Sequence, residues 1–460
     1  MYSVIVIGGG ISGLAAAWQL RSEAEVTVVE ARPRLGGVLR TGSVAGIDVD
    51  EGAEAMSALH PDAVELAKAV GLGDDLMSPV PAPTSVWSRG ALRKLPPGHI
   101  MGVPARPAAL EGTGLLSSEG LERLAREETV PAPPVDGDVA VGRYLADRLG
   151  QEAVDRLVEP LLGGVYAGRA DRLSLRAAVP RLARIAESGG SLFAALREEE
   201  TTTPVFNGMP RVPMCGLRGG LGRLPVAVAA ASGARVLTNA RVRELQRVPR
   251  GWRVTMSGPG PRTLEADAVV LAVPAYAAAG LLRDHAPAAG RELGAIAYAS
   301  TAVVTLAFDR AGMAAFPRGN GFVVPPVEGR AVKAVTFLSN KWSRQAAGSP
   351  GTFLVRASLG RFGEERVLGR EDGELAAVCL AELGEMVGPL GRPVDFHVSR
   401  WARALPQYTV GHTDRVRRIR AAVADLHGLE LCGAAYEGVG VAACVADGQE
   451  AARRVLKSAG

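Results

Sequence analysis

The most chemically informative residues are three glycines near the start of the chain and one acid that follows them. Gly8, Gly10 and Gly13 come directly after the apolar run Tyr2–Ile7, and a helical stretch begins behind them. This spacing lets the chain turn out of a strand, lets a phosphate approach the backbone at Gly10, and lets the helix pack close to the sheet. The N–H groups at the helix N-terminus then attract phosphates.

Glu30 closes the next β-rich run, Glu25–Val29. An acid about twenty residues after such a glycine turn accepts hydrogen bonds from ribose hydroxyls. Glycines alone are weak evidence, because every tight turn uses them, but here the strand, the helix and the acid all occupy the required places. The segment therefore predicts a dinucleotide-binding βαβ unit.

A second glycine pair indicates which dinucleotide is bound. Gly36 and Gly37 follow Arg34 shortly after that acid, and Gly52 lies close to Glu54 further along. A nicotinamide enzyme needs no glycine pair here, whereas FAD-dependent, amine-oxidase-like flavoproteins have one. The sequence resembles that superfamily. The resemblance implies that Arg34 and the small residues lie along the ribose and pyrophosphate, and that the later glycine approaches the flavin.

A third glycine-rich segment, Gly433–Val441, precedes the last helix. In a flavin site, the N-terminus of this helix would face the pyrimidine end of the isoalloxazine and stabilise the negative charge of the reduced ring. Many amine oxidases bind FAD covalently through a cysteine in this motif. Here Tyr436 and Glu437 occupy the region and Cys432 lies upstream, so we expect non-covalent FAD.

Two strands complete the predicted cofactor site. The backbone of the strand that contains Val242 can hydrogen-bond the adenine, and the resemblance adds Trp401. The predicted cofactor-binding residues are Gly8, Gly9, Gly10, Ile11, Ser12, Gly13, Glu30, Ala31, Arg34, Gly36, Gly37, Gly52, Ala53, Glu54, Ala55, Val242, Trp401, Gly433, Val439, Gly440 and Val441. No metal is predicted, because the four cysteines form no CxxC pair and no histidine lies at zinc spacing.

Composition narrows the class of protein. The net charge is +4 without any Lys/Arg block, so we expect no nucleic-acid partner. No apolar run reaches the roughly twenty residues of a membrane span, and the N-terminus shows no signal-peptide pattern. The cysteines are expected to be buried thiols in a reducing compartment. A cytoplasmic protein is therefore predicted, with peripheral membrane contact left open.

The 460 residues predict two or three domains. We expect an α/β fold in which a Rossmann-like FAD-binding domain is assembled from residues 1–80, 205–275 and 415–460. Residues 81–204 are predicted to form a helical lobe that faces a membrane or caps the substrate, and residues 276–414 a substrate-binding domain on a mixed sheet. Val86–Leu95 is predicted to be a hairpin with its turn at Arg89 and Gly90, and Thr201–Pro213 a loop.

Longer blocks resemble the oxygen-dependent porphyrinogen oxidases, a family that includes protoporphyrinogen oxidases and Gram-positive-type coproporphyrinogen III oxidases. The block RLVEPLLGGVYAG at 156–168 is close to a signature of that family. The segments Lys333–Phe337 with Lys341–Trp342, Arg400–Trp401, and Leu405–His412 are similar to the coproporphyrinogen branch. Generic amine oxidases lack these blocks.

The resemblance implies a six-electron, oxygen-dependent oxidation of coproporphyrinogen III to coproporphyrin III in haem biosynthesis, with H2O2 as the second product. The macrocycle would lie in an apolar cavity between the helical lobe and the flavin, and cationic residues would bind its four propionates. The candidates are Arg176, Lys341 and Trp342. Some protoporphyrinogen oxidases carry an Asn-Arg pair before the hairpin, where this chain has Thr84 and Ser85. No catalytic residue is named, because pyrrole N–H protons can leave without a dedicated base.

Three alternatives remain at this stage. The substrate could be protoporphyrinogen IX, or the protein could be another flavin amine or carotenoid oxidoreductase. Some proteins of this fold have lost FAD and bind prenylated partners, but the intact Glu30 and Gly36–Gly37 pair argue against that loss. The expected partners are a porphyrinogen, O2 and, at the surface, a membrane or another haem-pathway enzyme, and the oligomeric state is left open.

Overall fold

The computed structural model describes residues 2–130, 132–202, 214–313, 316–342 and 349–458. The loop predicted at Thr201–Pro213 lies almost entirely outside these ranges. Its first two residues belong to a helix, and residues 203–213 are not described. The strands are β1 Ser3–Ile7, β2 Glu25–Val29, β3 Thr41–Val44, β4 Ile47–Asp50, β5 Met56–Ser57, β6 Leu76–Met77, β7 Ser85–Ser88, β8 Ala91–Lys94, β9 His99–Ile100, β10 Val103–Pro104, β11 Met214–Leu217, β12 Arg235–Leu237, β13 Arg241–Val248, β14 Gly251–Ser257, β15 Thr263–Ala266, β16 Ala268–Leu271, β17 Tyr298–Asp309, β18 Gly321–Val323, β19 Val332–Phe337, β20 Thr352–Leu359, β21 Asp395–Pro406 and β22 Leu429–Leu431.

The helices are α1 Ile11–Leu20, α2 Asp62–Ala69, α3 Ser118–Ala125, α4 Val141–Leu149, α5 Gln151–Ala153, α6 Glu159–Tyr166, α7 Leu175–Ala178, α8 Pro180–Ser188, α9 Leu192–Thr202, α10 Arg223–Ser232, α11 Ala275–Leu281, α12 Pro287–Gly294, α13 Leu338–Lys341, α14 Asp372–Val387, α15 His412–Val423 and α16 Val441–Lys457. A π-helical segment, Val154–Val158, joins α5 to α6.

A five-stranded parallel sheet in the order β12-β2-β1-β16-β22 forms the centre of the first domain. Its strands read as continuous apolar runs because both of its faces are covered. Val4 and Val6 pack with Leu14 and other residues of α1, α10 and α16. The alternate residues, such as Ile5, pack on the opposite face in a cluster with Trp252 and Val254 of the antiparallel sheet β13-β14-β15 and with residues of α11, α12 and α15. The carboxyl ends of β1, β2 and β16 therefore meet at one edge, where a ligand site is expected.

A seven-stranded mixed sheet forms the second layer, in the order β21-β17-β20-β19-β18-β7-β8. Only the β18–β7 pair is parallel, and α14 covers one face through Leu375 and Leu383. The predicted hairpin is present as β7–β8, and positive φ angles at Arg89 and Gly90 suit the tight two-residue turn. The predicted fold class is confirmed by this arrangement.

Helices α3–α9 form the helical lobe around a core that includes Leu145, Leu162 and Phe193. Tyr408, which lies far along the chain, also packs into this core. Within the described ranges, no helix is both long enough and apolar enough to cross a membrane. The hairpin β7–β8 extends the mixed sheet although it lies in the 81–204 segment, and the three-part division of the chain stays a prediction.

Candidate functional site

The N-terminal glycine turn, Gly8–Gly13, combines two crowded positions with one open one. Gly8 has φ 114°, and a Cβ built there would lie 2.3 Å from the carbonyl oxygen of Ala272. A Cβ at Gly13 would lie 2.1 Å from the carbonyl oxygen of Gly8. At Gly10, which caps the N-terminus of α1, a Cβ would meet nothing within 4 Å. The turn therefore admits only glycine at its base and leaves open space at the helix N-terminus, as a bound phosphate requires.

Glu30 lies at the rim of this open space. Its carboxylate accepts hydrogen bonds from the backbone N–H groups of Gly9 and Arg32, both at 2.8 Å. The strand β13 starts close by, because the N–H of Ala240 donates to the carbonyl oxygen of Glu30 at 2.9 Å. Val242, the predicted adenine contact, lies two residues further along and is partly buried. The acid and the strand thus sit on the same side of the glycine turn.

The second glycine pair folds back over the first turn. The N–H of Gly36 donates to the carbonyl oxygen of Gly9 at 2.7 Å, and a Cβ at Gly37 would lie 3.4 Å from the Cα of Gly10. The guanidinium of Arg34 donates to the carbonyl oxygen of Gly37 at 3.0 Å. Burial, with Arg40 and Arg32 nearby, lowers the pKa of Arg34. A half-buried cation is thus fixed against the open space.

Gly52 begins a segment that is held by the mixed sheet. A Cβ at Gly52 would lie 2.0 Å from the carbonyl oxygen of Val38, and the guanidinium of Arg356 donates to the carbonyl oxygen of Gly52. The indole N–H of Trp401 donates to the carbonyl oxygen of Glu51 at 2.7 Å. Segment 51–55 is therefore fixed by residues of β20 and β21.

Glu54 forms an ion pair with each of two cations from the second layer. Its carboxylate contacts the Nζ of Lys341 and lies 3.1 Å from the guanidinium of Arg356. Burial would raise the pKa of Glu54, but the charges and hydrogen bonds of Lys341 and Arg356 outweigh burial and hold the pKa below its usual value. Lys341, predicted for substrate, thus faces the cofactor segment. Trp342 is 3% exposed and packs in a core with Val49 and other residues.

The C-terminal glycine loop, Gly433–Gly440, leads into α16. Gly433 and Gly440 resemble Gly10, because a Cβ at either position would meet nothing within 4 Å. Helices α1 and α16 pack so closely that a Cβ at Gly448 would lie 2.1 Å from the carbonyl oxygen of Ser12. The N-terminal turn of α1 therefore lies against α16, the helix that follows the last glycine-rich segment.

Four positions that organise this loop were absent from the predicted site. The carboxylate of Asp447 accepts hydrogen bonds from the N–H of Gly433 and the guanidinium of Arg420, both at 2.8 Å. Tyr408 donates through its hydroxyl to the carbonyl oxygen of Ala434 at 2.6 Å, and His412 stacks on Tyr408. The sequence gives no periodicity or motif for these contacts, although Tyr408 and His412 stand in the block compared with porphyrinogen oxidases.

Arg176 lies on α7, whose N-cap residue Ser174 contacts Tyr408. Its guanidinium pairs with Glu187 at 2.7 Å, and both side chains are more than a third exposed. The four cysteines are buried free thiols. Burial raises the pKa of Cys432 well above its usual value and that of Cys444 to about 11. Their thiolates are therefore scarce at neutral pH.

The groups around these glycine-rich segments fit a dinucleotide that carries a flavin. Two helix N-termini, three open glycine positions and an acid at the end of β2 provide for phosphates, a ribose and an electron-rich ring. Glu30 would hold the ribose, the N–H groups behind Gly10 the pyrophosphate, and the start of α16 the pyrimidine end of the isoalloxazine.

The flavin containing amine oxidoreductase family matches residues 11–456. This chain therefore belongs to that family of flavin-dependent enzymes.

Relatives that match over the full length of the chain are more specific than the family match. The chain is 37% identical over 462 aligned residues to the coproporphyrinogen III oxidase of Mycobacterium tuberculosis, covering 99% of this chain and 98% of the relative. It is 31% identical to the coproporphyrinogen III oxidase of Bacillus subtilis, covering 98% and 97% of the two chains. A crystal structure from Exiguobacterium, described as a candidate protoporphyrinogen oxidase, superposes with a TM-score of 0.87 at 30% sequence identity. The superposition covers 99% of this chain and 98% of that chain. These relatives confirm the predicted resemblance to porphyrinogen oxidases.

Proposed function

We propose that this protein is an FAD-dependent oxidase that converts coproporphyrinogen III to coproporphyrin III in haem biosynthesis, with O2 as the electron acceptor. The observation that carries the proposal is the full-length 37% identity to a coproporphyrinogen III oxidase, and the glycine-rich segments before α1 and α16 support it. In the overall reaction, three O2 accept the six electrons and six protons that the porphyrinogen loses, and three H2O2 are formed.

FAD, bound without a covalent link, would supply the two-electron acceptor that takes a hydride from a meso carbon of the substrate. We assign the protein's part to binding and orientation. Glu30 binds the ribose, and Arg34 and the N–H groups of the glycine turns bind the pyrophosphate. The positive end of α16 stabilises negative charge on the reduced ring. The raised thiol pKa of Cys432 supports the non-covalent assignment, because a thiolate is the reactive species.

The substrate contacts remain part of the proposal. Lys341 and Arg176 are the candidates for propionate binding, and each now pairs with a carboxylate, Glu54 and Glu187 respectively. A propionate would therefore have to exchange with, or add to, an existing ion pair. Trp342 is buried beside Lys341, and its indole would shape the base of the site rather than touch the macrocycle.

A second candidate function is protoporphyrinogen IX oxidation, which the description of the Exiguobacterium structure favours. The two substrates differ in their number of carboxylates, so a side-by-side assay of porphyrin fluorescence separates them. We expect faster formation of the fluorescent product from the tetracarboxylate coproporphyrinogen, with H2O2 formed in a ratio of three per porphyrin. Faster turnover of the dicarboxylate would reverse the assignment.

The remaining parts of the proposal concern the cell. We propose a cytoplasmic protein that exchanges its porphyrinogen and porphyrin at a membrane surface or with a neighbouring enzyme of the pathway. Sedimentation of the purified protein with anionic lipid vesicles, with and without porphyrin, tests the membrane contact. Retention of the protein in the supernatant under both conditions would contradict it.

A further inference from the structure

We infer that Tyr408 and His412 are positioning residues that hold the C-terminal glycine loop in place for the bound flavin. Through them, the helical lobe is coupled to the redox properties of the cofactor. This inference rests on the proposed flavin site.

Tyr408 is anchored on the helical lobe by its backbone. The N–H of Ser174 donates to the carbonyl oxygen of Tyr408 at 2.7 Å, and Leu173 forms a β-bridge with Thr409. The side-chain amide of Gln407 donates to the carbonyl oxygen of Tyr166, the last residue of α6, at 2.8 Å. The first hydrogen bond belongs to this bridge, so segment 407–409 is fixed to the lobe by three separate contacts: the bridge, the Gln407 amide and the packing of the tyrosine ring.

From this anchor, the tyrosine side chain reaches the C-terminal glycine loop. Its ring is 2% exposed, and its hydroxyl donates to the carbonyl oxygen of Ala434 at 2.6 Å. Val439, near the other end of the loop, packs against the core of the lobe. The loop is thus attached to the lobe at both ends, directly before the helix N-terminus that would face the isoalloxazine.

His412 supports the tyrosine from its second face. The imidazole lies parallel to the phenol ring, with centroids 4.0 Å apart and an interplanar angle of 14°, and it is 1% exposed. Neither ring nitrogen makes a well-formed hydrogen bond with a described residue, although the backbone of Ala435 and Tyr436 in the loop lies close enough to favour the charged imidazole. Stacking on Tyr408 is the best-defined contact of this side chain, and a flat apolar ring should preserve that stacking.

Tyr166 provides a matched control. Its ring lies 5.8 Å from that of Tyr408, and its hydroxyl also donates to a backbone carbonyl, that of Ala178 at 3.2 Å. This bond stays within the helical lobe. Tyr166→Phe and Tyr408→Phe therefore each remove one buried hydroxyl bond from the same core, and only the second bond reaches the loop.

The test measures the FAD dissociation constant and the flavin midpoint potential of the full-length holoenzyme in the absence of porphyrinogen. We expect Tyr408→Phe to weaken FAD binding about fivefold, as loss of one hydrogen bond would. We also expect a lower potential, because the helix N-terminus moves away from the reduced ring. Tyr166→Phe should keep the wild-type constant and potential. His412→Ala should resemble Tyr408→Phe, and His412→Phe should resemble the wild type.

Equal constants and potentials in Tyr408→Phe and the wild type would overturn the inference, as would equal shifts in Tyr408→Phe and Tyr166→Phe. If Tyr408→Phe does not fold, the comparison of His412→Ala with His412→Phe tests the inference. Equal FAD dissociation constants and equal midpoint potentials in these two variants would overturn the inference. Absence of flavin binding by the wild type would overturn both this inference and the proposed function. A flavin-loaded wild type that leaves porphyrinogens unoxidised would overturn only the proposed function.

Discussion

Glu30 combines a backbone contact and the proposed cofactor contact in one carboxylate. Its carboxylate fixes the N–H groups of Gly9 and Arg32, and it stands where the ribose is proposed to bind. Glu30→Ala should raise the FAD dissociation constant about thirtyfold, the value of a charge-assisted hydrogen bond of about 2 kcal/mol. The far-UV circular dichroism should not change. Flavin absorbance of the purified protein gives the measurement, and full occupancy in this variant would contradict the ribose assignment.

The buried imidazole of His412 should make the free energy of unfolding depend on pH. Burial, with Arg415 close by, lowers the pKa of His412 to about 4, although the backbone of Ala435 and Tyr436 and the charge of Asp138 oppose this shift. The unfolded chain binds a proton near pH 6.5 and the folded protein does not, so the free energy of unfolding falls as the pH drops from about 6.5 to 4. This one group should account for up to about 3 kcal/mol of the loss.

The measurement is urea unfolding of the wild type and His412→Phe across this pH range. The variant should show a shallower decline, because its ring cannot take up a proton. His60 is exposed, so His60→Phe should reproduce the wild-type slope. Parallel slopes for the wild type and His412→Phe would show that the imidazole is not kept neutral by the fold.

At the scale of the elements, α16 is connected to the C-terminal glycine loop by Asp447. This buried carboxylate pairs with Arg420 of α15 and accepts the N–H of Gly433. Asp447→Asn should lower the free energy of unfolding by about 2 kcal/mol, because the partly buried Arg420 loses its nearest charge partner and keeps only the longer contacts to Glu430 and Glu437, both at 3.9 Å. FAD binding should weaken in the same variant, since the loop loses its anchor.

The same helix offers the control. Glu450 and Arg453 form an ion pair in which each side chain is nearly half exposed, and such pairs contribute less than about 1 kcal/mol. Glu450→Gln should therefore leave both the unfolding free energy and the FAD affinity close to wild type. Similar losses in the two variants would mean that the helix, rather than the Asp447 contact, sets the stability of the loop.

At the scale of the whole molecule, Glu54 joins the two layers. Its cations come from the mixed sheet and α13, 287 and 302 positions away in the chain. Glu54→Gln should lower the free energy of unfolding at pH 7 by about 2 kcal/mol, because Lys341 and Arg356 remain largely buried without a counter-charge. The exposed pair Arg253–Glu265 provides the control, and Glu265→Gln should cost less than about 0.5 kcal/mol.

The pH dependence of the free energy of unfolding provides a second test of the ion pairs of Glu54. The folded-state pKa of Glu54 is held below its usual value. The stability that this carboxylate contributes is therefore complete above its unfolded pKa near 4.5 and is lost as the pH falls through the folded-state pKa. The difference between the wild type and Glu54→Gln should shrink in acid. A difference that stays constant from pH 7 to pH 3 would contradict the assigned pair.

Local patterns explain what could be predicted. The glycine spacing at Gly8–Gly13, the acid at Glu30 and the apolar strands reflect turn chemistry and burial, which act over a few residues. These features fixed the fold class. The porphyrinogen-oxidase blocks pointed to the right relatives for a different reason, because they match whole segments of known proteins.

By itself the sequence determined the glycine turn at Gly8–Gly13, the helix that follows Gly440, and the family to which the chain belongs. Only the tertiary structure decided that Glu54 meets Lys341 and Arg356, that Asp447 and Tyr408 fix the loop, and that Arg176 pairs with Glu187. The physical reason is distance along the chain. Hydrophobic periods and turn residues act locally, whereas the partner of a charged side chain is set by how layers hundreds of residues apart pack together.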